Sequence, residues 1–215
     1  MYRKILILIA ASMIIVPSIY ALSLRVHTPV STSSTCPESS GETLSCSPKS
    51  SGYALRGIFG LFGLGYASSS LDLVPTDSSL GYDTWKVSAN AVDLSLSFLD
   101  ALFTVGAGTV LGGSYEMEHT TTETSGDYYV KWYRQLTDAK LSGSTTFLNF
   151  GFGIGPMELI VGYRMWSVSN EANVTTIKTT NLPAASGHTN STSTQTADVG
   201  TANWSEVTAG IGFGF

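Results

Sequence analysis

The chain has 215 residues, the length of one or two domains. Only 13% of them are Asp, Glu, Lys or Arg, against about 25% in typical soluble proteins, while Gly reaches 22. That balance excludes a helical bundle with a charged exterior. The net charge of −5 excludes the basic face of a nucleic-acid binder, and 43% hydrophobic with 11% aromatic residues excludes a disordered chain.

In chain order, Arg3 and Lys4 precede the apolar run Ile5 to Val16, followed by Pro17 and a small-residue site ending at Ala21. These are the three regions of a secretory signal peptide, so residues 1–21 are set apart from the fold. The apolar run is too short to cross a bilayer, which takes about 20 residues as a helix. Without Arg3 and Lys4 the 11 basic residues become 9 against 16 acidic ones, so residues 22–215 form an exported domain of net charge −7.

Cys36 and Cys46 are the two cysteines, and both lie in the Ser/Pro/Gly-rich stretch 31–51. In an oxidising compartment they are expected to pair, tethering a short loop by roughly 2–3 kcal/mol on the chain-entropy model. A metal site is a poor reading, because a tetrahedral centre needs four ligands and His27 is the one nearby histidine.

From Leu22 onward the pattern is alternation with period two, the mark of β-strands. Leu22, Leu24 and Val26 alternate with Ser23, Arg25 and His27, and further strands are expected over 52–60 and 66–74. Gly60, Gly63 and Gly65 favour a tight hairpin near Leu61 to Leu64 over one long strand across 53–66, although the long strand stays open as an alternative. Val92, Leu94, Leu96 and Phe98 then oppose Asp93, Ser95 and Ser97, and Phe103, Val105, Ala107 and Leu111 oppose Thr104, Gly106, Gly108 and Gly112. Leu148, Phe150, Phe152 and Ile154 oppose Asn149, Gly151 and Gly153, and Met157, Leu159, Val161, Tyr163 and Met165 oppose Glu158, Gly162 and Arg164. The last strand sets Val207, Ala209, Ile211, Phe213 and Phe215 against Glu206, Thr208, Gly210, Gly212 and Gly214. About eight strands result, all antiparallel.

Alternation alone fits a soluble sandwich or a membrane barrel, and the second face decides between them. Here that face is Gly, Ser, Thr and Asn, not Lys and Glu. Glycine lets side chains from opposite walls fit inside a small closed barrel, and no Lys or Arg falls on the five clearest apolar rows, where it would cost about 2–4 kcal/mol at mid-membrane. Connections alternate in length: 99–102 and Gly155-Pro156 are short, whereas 31–51, 119–140 and 167–203 read as long polar loops. Short turns at one end and long loops at the other is the plan of an outer-membrane barrel, with both termini at the short-turn, periplasmic end.

The ending Ile211-Gly-Phe-Gly-Phe215 resembles the terminal strand of bacterial outer-membrane barrels, and the whole exported chain resembles the small OmpA/OmpX/OmpW-like group. The resemblance implies an eight-stranded transmembrane barrel in the outer-membrane lipid, with Ile211, Phe213 and Phe215 read by the barrel-assembly machinery. Tyr115 and Tyr163 fall on lipid-facing rows and suit an interfacial girdle; Trp85, Trp166 and Trp204 fall on the other parity, either through bulges or as caps of the lumen.

Arg25, His27, Arg56, Asp93, Asn149, Glu158, Arg164 and Glu206 are inward and suit an ionic network that fills the lumen. A narrow path for small or hydrophobic solutes is the alternative use of the same residues. Catalysis would have to draw on His27, His119 or His188, and no catalytic, metal or cofactor motif accompanies them. Tyr128, Tyr129, Trp132 and Tyr133 beside Lys131 and Arg134 make 119–140 a candidate for a surface ligand, or a strand extension rising above the membrane. The leading expectation is a non-enzymatic outer-membrane barrel with a structural or surface-interaction role and no cofactor.

Overall fold

The computed structural model describes residues 22–34, 46–75, 82–99, 102–125, 128–181 and 189–214. Eight strands form one closed antiparallel barrel in sequence order: β1 (Leu22–Ser34), β2 (Cys46–Phe59), β3 (Phe62–Pro75), β4 (Tyr82–Phe98), β5 (Phe103–Ser125), β6 (Tyr128–Ile154), β7 (Met157–Asn181) and β8 (Thr189–Gly214). β1 closes the ring on β8, with Leu24 opposite Phe213 and Val26 opposite Ile211. The signal segment, Cys36 and Phe215 lie outside the described residues, and the Cys46 side chain does too, so the expected disulfide falls outside them.

The short turns gather at the end of the barrel that holds Leu22 and Gly214. Two of them use glycine in the left-handed region, Gly60 (φ 61°) between β2 and β3 and Gly155 (φ 63°) between β6 and β7, where a β-carbon would strain the turn. The tight hairpin over the long-strand alternative is therefore the observed one. The third, between β4 and β5, is closed by the Leu102 amide donating to the Leu99 carbonyl at 3.1 Å.

The apolar rows face outward. Leu94, Phe150, Phe152, Leu159, Val161, Met165, Ile211 and Phe213 are all exposed, a contiguous apolar band too large for a soluble surface. The opposite parity is buried: Arg25, Arg56, Asp93, Thr104, Asn149, Arg164 and Glu206 point into the lumen. The upper limit of the band is marked on half the ring by charges in register on the outer wall, Lys49 opposite Asp72, Asp72 opposite Lys86, and Lys86 opposite Glu116. These stand about ten residues above the turns, and ten residues at about 3.3 Å each with a tilt of about 40° rise about 25 Å, the height of a transmembrane apolar band.

Two expectations are corrected here. The described parts of 119–140 and 167–203, expected as long loops, are strand, because β5 pairs with β6 up to Ser125–Tyr128 and β7 pairs with β8 up to Thr180–Thr189, so for 119–140 the strand-extension alternative is the observed one. Runs rich in Thr, Tyr and Val satisfy their backbone by pairing across the hairpin rather than as irregular loop. Tyr115 is inside, not in a lipid-facing girdle: Asn90 pairs with Gly112 and Ala91 with Val110, so Leu111 is an extra residue that reverses the parity of everything above it. Tyr163 faces outward as read.

Candidate functional site

The lumen is built in two storeys. The lower is polar and begins with Arg25 on β1, whose Nε donates to Glu158 Oε2 on β7 at 2.7 Å while Nη1 donates to Thr104 Oγ1 at 3.1 Å. The other Glu158 oxygen accepts from Ser23 Oγ at 3.3 Å. One level up, the two oxygens of Asp93 on β4 divide between two cations, Arg56 Nη2 at 2.7 Å and Arg164 Nη2 at 3.0 Å. Both guanidinium groups also lie over the ring of Phe147, 3.7 Å and 4.7 Å from its centroid. With its carboxamide oriented to satisfy both neighbours, Asn149 accepts from Arg56 Nη1 at 2.9 Å and donates to the Leu148 carbonyl at 3.1 Å.

Glu206 is held differently. Although Arg164 is its cross-strand partner in register, that side chain turns away to Asp93. The Glu206 carboxylate instead accepts from Trp166 Nε1 at 3.2 Å, Trp204 Nε1 at 3.1 Å and the Ser69 hydroxyl. The two indoles stack, centroids 5.4 Å apart and planes 10° from parallel, so they cap the lower storey. Glycine makes room for all of this: a β-carbon at Gly65 would overlap the Asp93 carboxylate, and one at Gly162 the Asn149 carboxamide.

Above the indoles the lumen is apolar, with Leu71, Leu73, Val87, Ala89, Ala91, Val110 and Val168 packed together. Set into this upper storey are the Tyr115 hydroxyl, the Trp85 indole nitrogen and the Asn170 carboxamide, all buried, with the hydroxyl facing both Asn170 and Trp85. Trp85 and Tyr115 meet edge to face at 5.6 Å. The wall beside them is unzipped: between the pairs Thr109–Ser144 and Glu118–Gln135, residues 110–117 of β5 and 136–143 of β6 run side by side without ladder pairing. The Leu141 side chain lies across this slit against Gly113.

Higher still, the described part of β1 ends at Ser34, opposite Trp204, while β8 pairs with β7 up to Thr189. The described part of β4 begins at Tyr82, opposite His119, while β5 pairs with β6 up to Ser125. Among the described residues, the tops of β5, β6, β7 and β8 thus form a projecting four-stranded sheet.

Every lumen residue read from the sequence is accounted for: Arg25 with Glu158, Arg56 and Arg164 with Asp93, Asn149 with Arg56, and Glu206 with the two tryptophans. His27 is buried among them with Nε2 unpartnered. Ile211 and Phe213 face outward on the last strand. The side chains of 117–138, which include His119 and the aromatic cluster near 128–133, lie outside the described ones, as does residue 188. Sequence reading missed Phe147 beneath the arginines and the slit; the Trp204-x-Glu206 spacing was the available signal for the indole–carboxylate clamp. Among the described residues, no group of three His, Cys, Asp or Glu gathers as a metal site.

A closed eight-stranded barrel with an apolar exterior about a bilayer tall and buried ion pairs in its lower lumen is a small transmembrane β-barrel of the outer-membrane type. No protein-family model and no curated protein sequence matches the chain. Among solved structures it is similar to the outer membrane protein AlkL, seen in lipid bilayers, at 10% identity and a TM-score of 0.41, covering 91% of this chain and 90% of that one. It is also similar to the outer membrane protein OprG from Pseudomonas aeruginosa, at 12% identity and a TM-score of 0.32, covering 91% and 96%. At such scores the overlays add no argument, and the class rests on the barrel itself.

Proposed function

We propose that this is a non-enzymatic barrel of the bacterial outer membrane, its termini periplasmic, that presents the projecting sheet for contacts at the cell surface. The observation that carries the reading is the composition of β8 above Trp204. From Thr189 to Asn203 it holds one charge, Asp198, and neither Lys nor Pro, the residues that commonly blunt a strand against pairing with another extended chain. The region 119–140 belongs to the same sheet and adds the candidate surface ligand site. The last strand, with Ile211, Phe213 and Phe215, is the segment offered to the barrel-assembly machinery. Lysine at Thr192, Thr194 and Thr196 should abolish binding of barrel-displaying cells to immobilised unfolded casein without lowering barrel abundance; undiminished binding refutes edge pairing.

The paired charges and capped lower storey support a lumen closed to ions. Planar bilayers should show no stepwise conductance, and regular steps would overturn the closure.

A second reading rests on the slit. Unpaired backbone cannot face hydrocarbon, so the slit belongs at or above the upper edge of the band, where it joins the apolar upper storey to the outer leaflet. It supports a sideways path for hydrophobic solutes that bypasses the polar plug. Leu141→Trp should slow uptake of an apolar dye such as N-phenylnaphthylamine and Leu141→Ala should speed it; equal uptake by the two variants refutes it.

A further inference from the structure

The upper limit of the apolar band is built in two chemistries. On β2 to β5 it is the charged ladder from Lys49 to Glu116. On β6, β7, β8 and β1 the same height, about ten residues above the turns, carries no charge at all. Ser144, Ser167 and Asn203 are consecutive partners there, and Thr146 and Ser205 flank Met165 one step lower. Ser33 continues the row opposite Ser205. The nearest outward charges on these strands, Lys140 and Glu171, stand opposite each other about four residues higher.

These residues are not a flat strip. They line a hollow of about 490 Å³ in the outer wall, with Tyr163 and Met165 on the side towards the hydrocarbon. Four residues (Ser144, Thr146, Ser167 and Asn203) are exposed, and Tyr163 is 44% exposed, so the groups are available to whatever lies alongside the barrel. At this height that is the head-group layer.

The lining selects among head groups. Hydroxyls and a carboxamide both donate and accept, which matches the hydroxyls of a sugar. A phosphate would call for Arg or Lys, and none lines the hollow. A tyrosine with its ring outward and apolar residues below is the arrangement that holds an amphiphile at the boundary. We propose that this hollow binds the uncharged sugar head of a glycolipid, whose acyl chains run down the wall past Met165, Tyr163 and Val207. The inference rests on the barrel crossing a bilayer, and on neither the edge-pairing nor the slit reading.

The test uses the refolded chain in phosphatidylcholine nanodiscs doped with digalactosyldiacylglycerol or, separately, phosphatidylglycerol. Both leaflets carry the dopant, so insertion direction does not matter. Native mass spectrometry after stripping the disc lipids counts what stays on the barrel. Digalactosyl lipid should be retained about tenfold over phosphatidylglycerol, which corresponds to about 1.4 kcal/mol. The Ser167→Val, Asn203→Leu double variant should lose that preference, and Lys86→Gln on the opposite wall should keep it. Should the double variant not fold, Tyr163→Leu, which preserves an apolar wall, should reduce the preference several-fold. Equal retention of the two lipids, a preference for the phosphate lipid, or an unchanged preference in the variants overturns the proposal. A chain that stays out of the discs overturns the membrane reading itself.

Discussion

Replacing Asp93 by Ala should be the most damaging single change in the lower lumen. Its two oxygens neutralise Arg56 at 2.7 Å and Arg164 at 3.0 Å; Asp93 and Arg56 are wholly inaccessible to solvent, and Arg164 is 5% exposed. Removing the carboxylate leaves two desolvated cations close together against the Phe147 ring. Breaking one buried pair from one side costs about 3–5 kcal/mol, and here two pairs share the lost partner, so the loss should reach at least the upper part of that range. Asp93→Asn keeps the volume and one acceptor but not the charge, and should fall in between. The apolar triple change Asp93→Leu, Arg56→Met, Arg164→Met removes the whole cluster and should recover most of the loss, since no charge is then stranded. Urea unfolding in lipid vesicles, followed by tryptophan fluorescence and by the heat-dependent gel shift of the folded barrel, gives the four values. A loss below about 1 kcal/mol for Asp93→Ala, or a triple variant weaker than the single one, would refute the view that these charges stabilise through mutual pairing.

Glu158→Ala removes one partner of Arg25 and leaves its bond to Thr104, nearer the open end where the Glu158 side chain is 16% exposed, so heat resistance on unboiled gels should fall by less than for Asp93→Ala, with export unchanged. Gly162→Val should block folding, because its side chain would occupy the space of the Asn149 carboxamide and the Thr208 hydroxyl; refolding yield measures it. Tyr115→Phe should cost about 1–3 kcal/mol, since the buried hydroxyl faces Asn170 and Trp85 and its loss leaves both polar groups unsatisfied; no loss in the same urea assay would show that they do not depend on it.

The period-two rows told inside from outside correctly wherever the ladder is regular, as on β7, where residues 159 to 169 alternate without exception. They failed for Tyr115 because one inserted residue, Leu111, shifts the face of the strand beyond it, and a bulge leaves no mark in hydropathy. Inward charges were legible, but partners were not. Arg164 sits beside Glu206 on the wall yet reaches across to Asp93, a choice set by the width of the lumen and the Phe147 ring. The ladder of Lys49, Asp72, Lys86 and Glu116 stayed invisible for a related reason: its four members are far apart in sequence and meet only when four strands share a register.

The ion pairs of the lumen join strands that are not neighbours: β1 to β7, β2 to β4, and β4 to β7. A hairpin, or an open sheet still missing its last strand, therefore gains nothing from Arg25 and Glu158, whereas Arg56 and Asp93, one strand apart, can meet before the ring closes. Interactions that arrive only at the end of assembly slow the reverse reaction far more than they hasten the forward one, so the interior of this barrel works as a lock on the finished ring, setting its lifetime in the membrane.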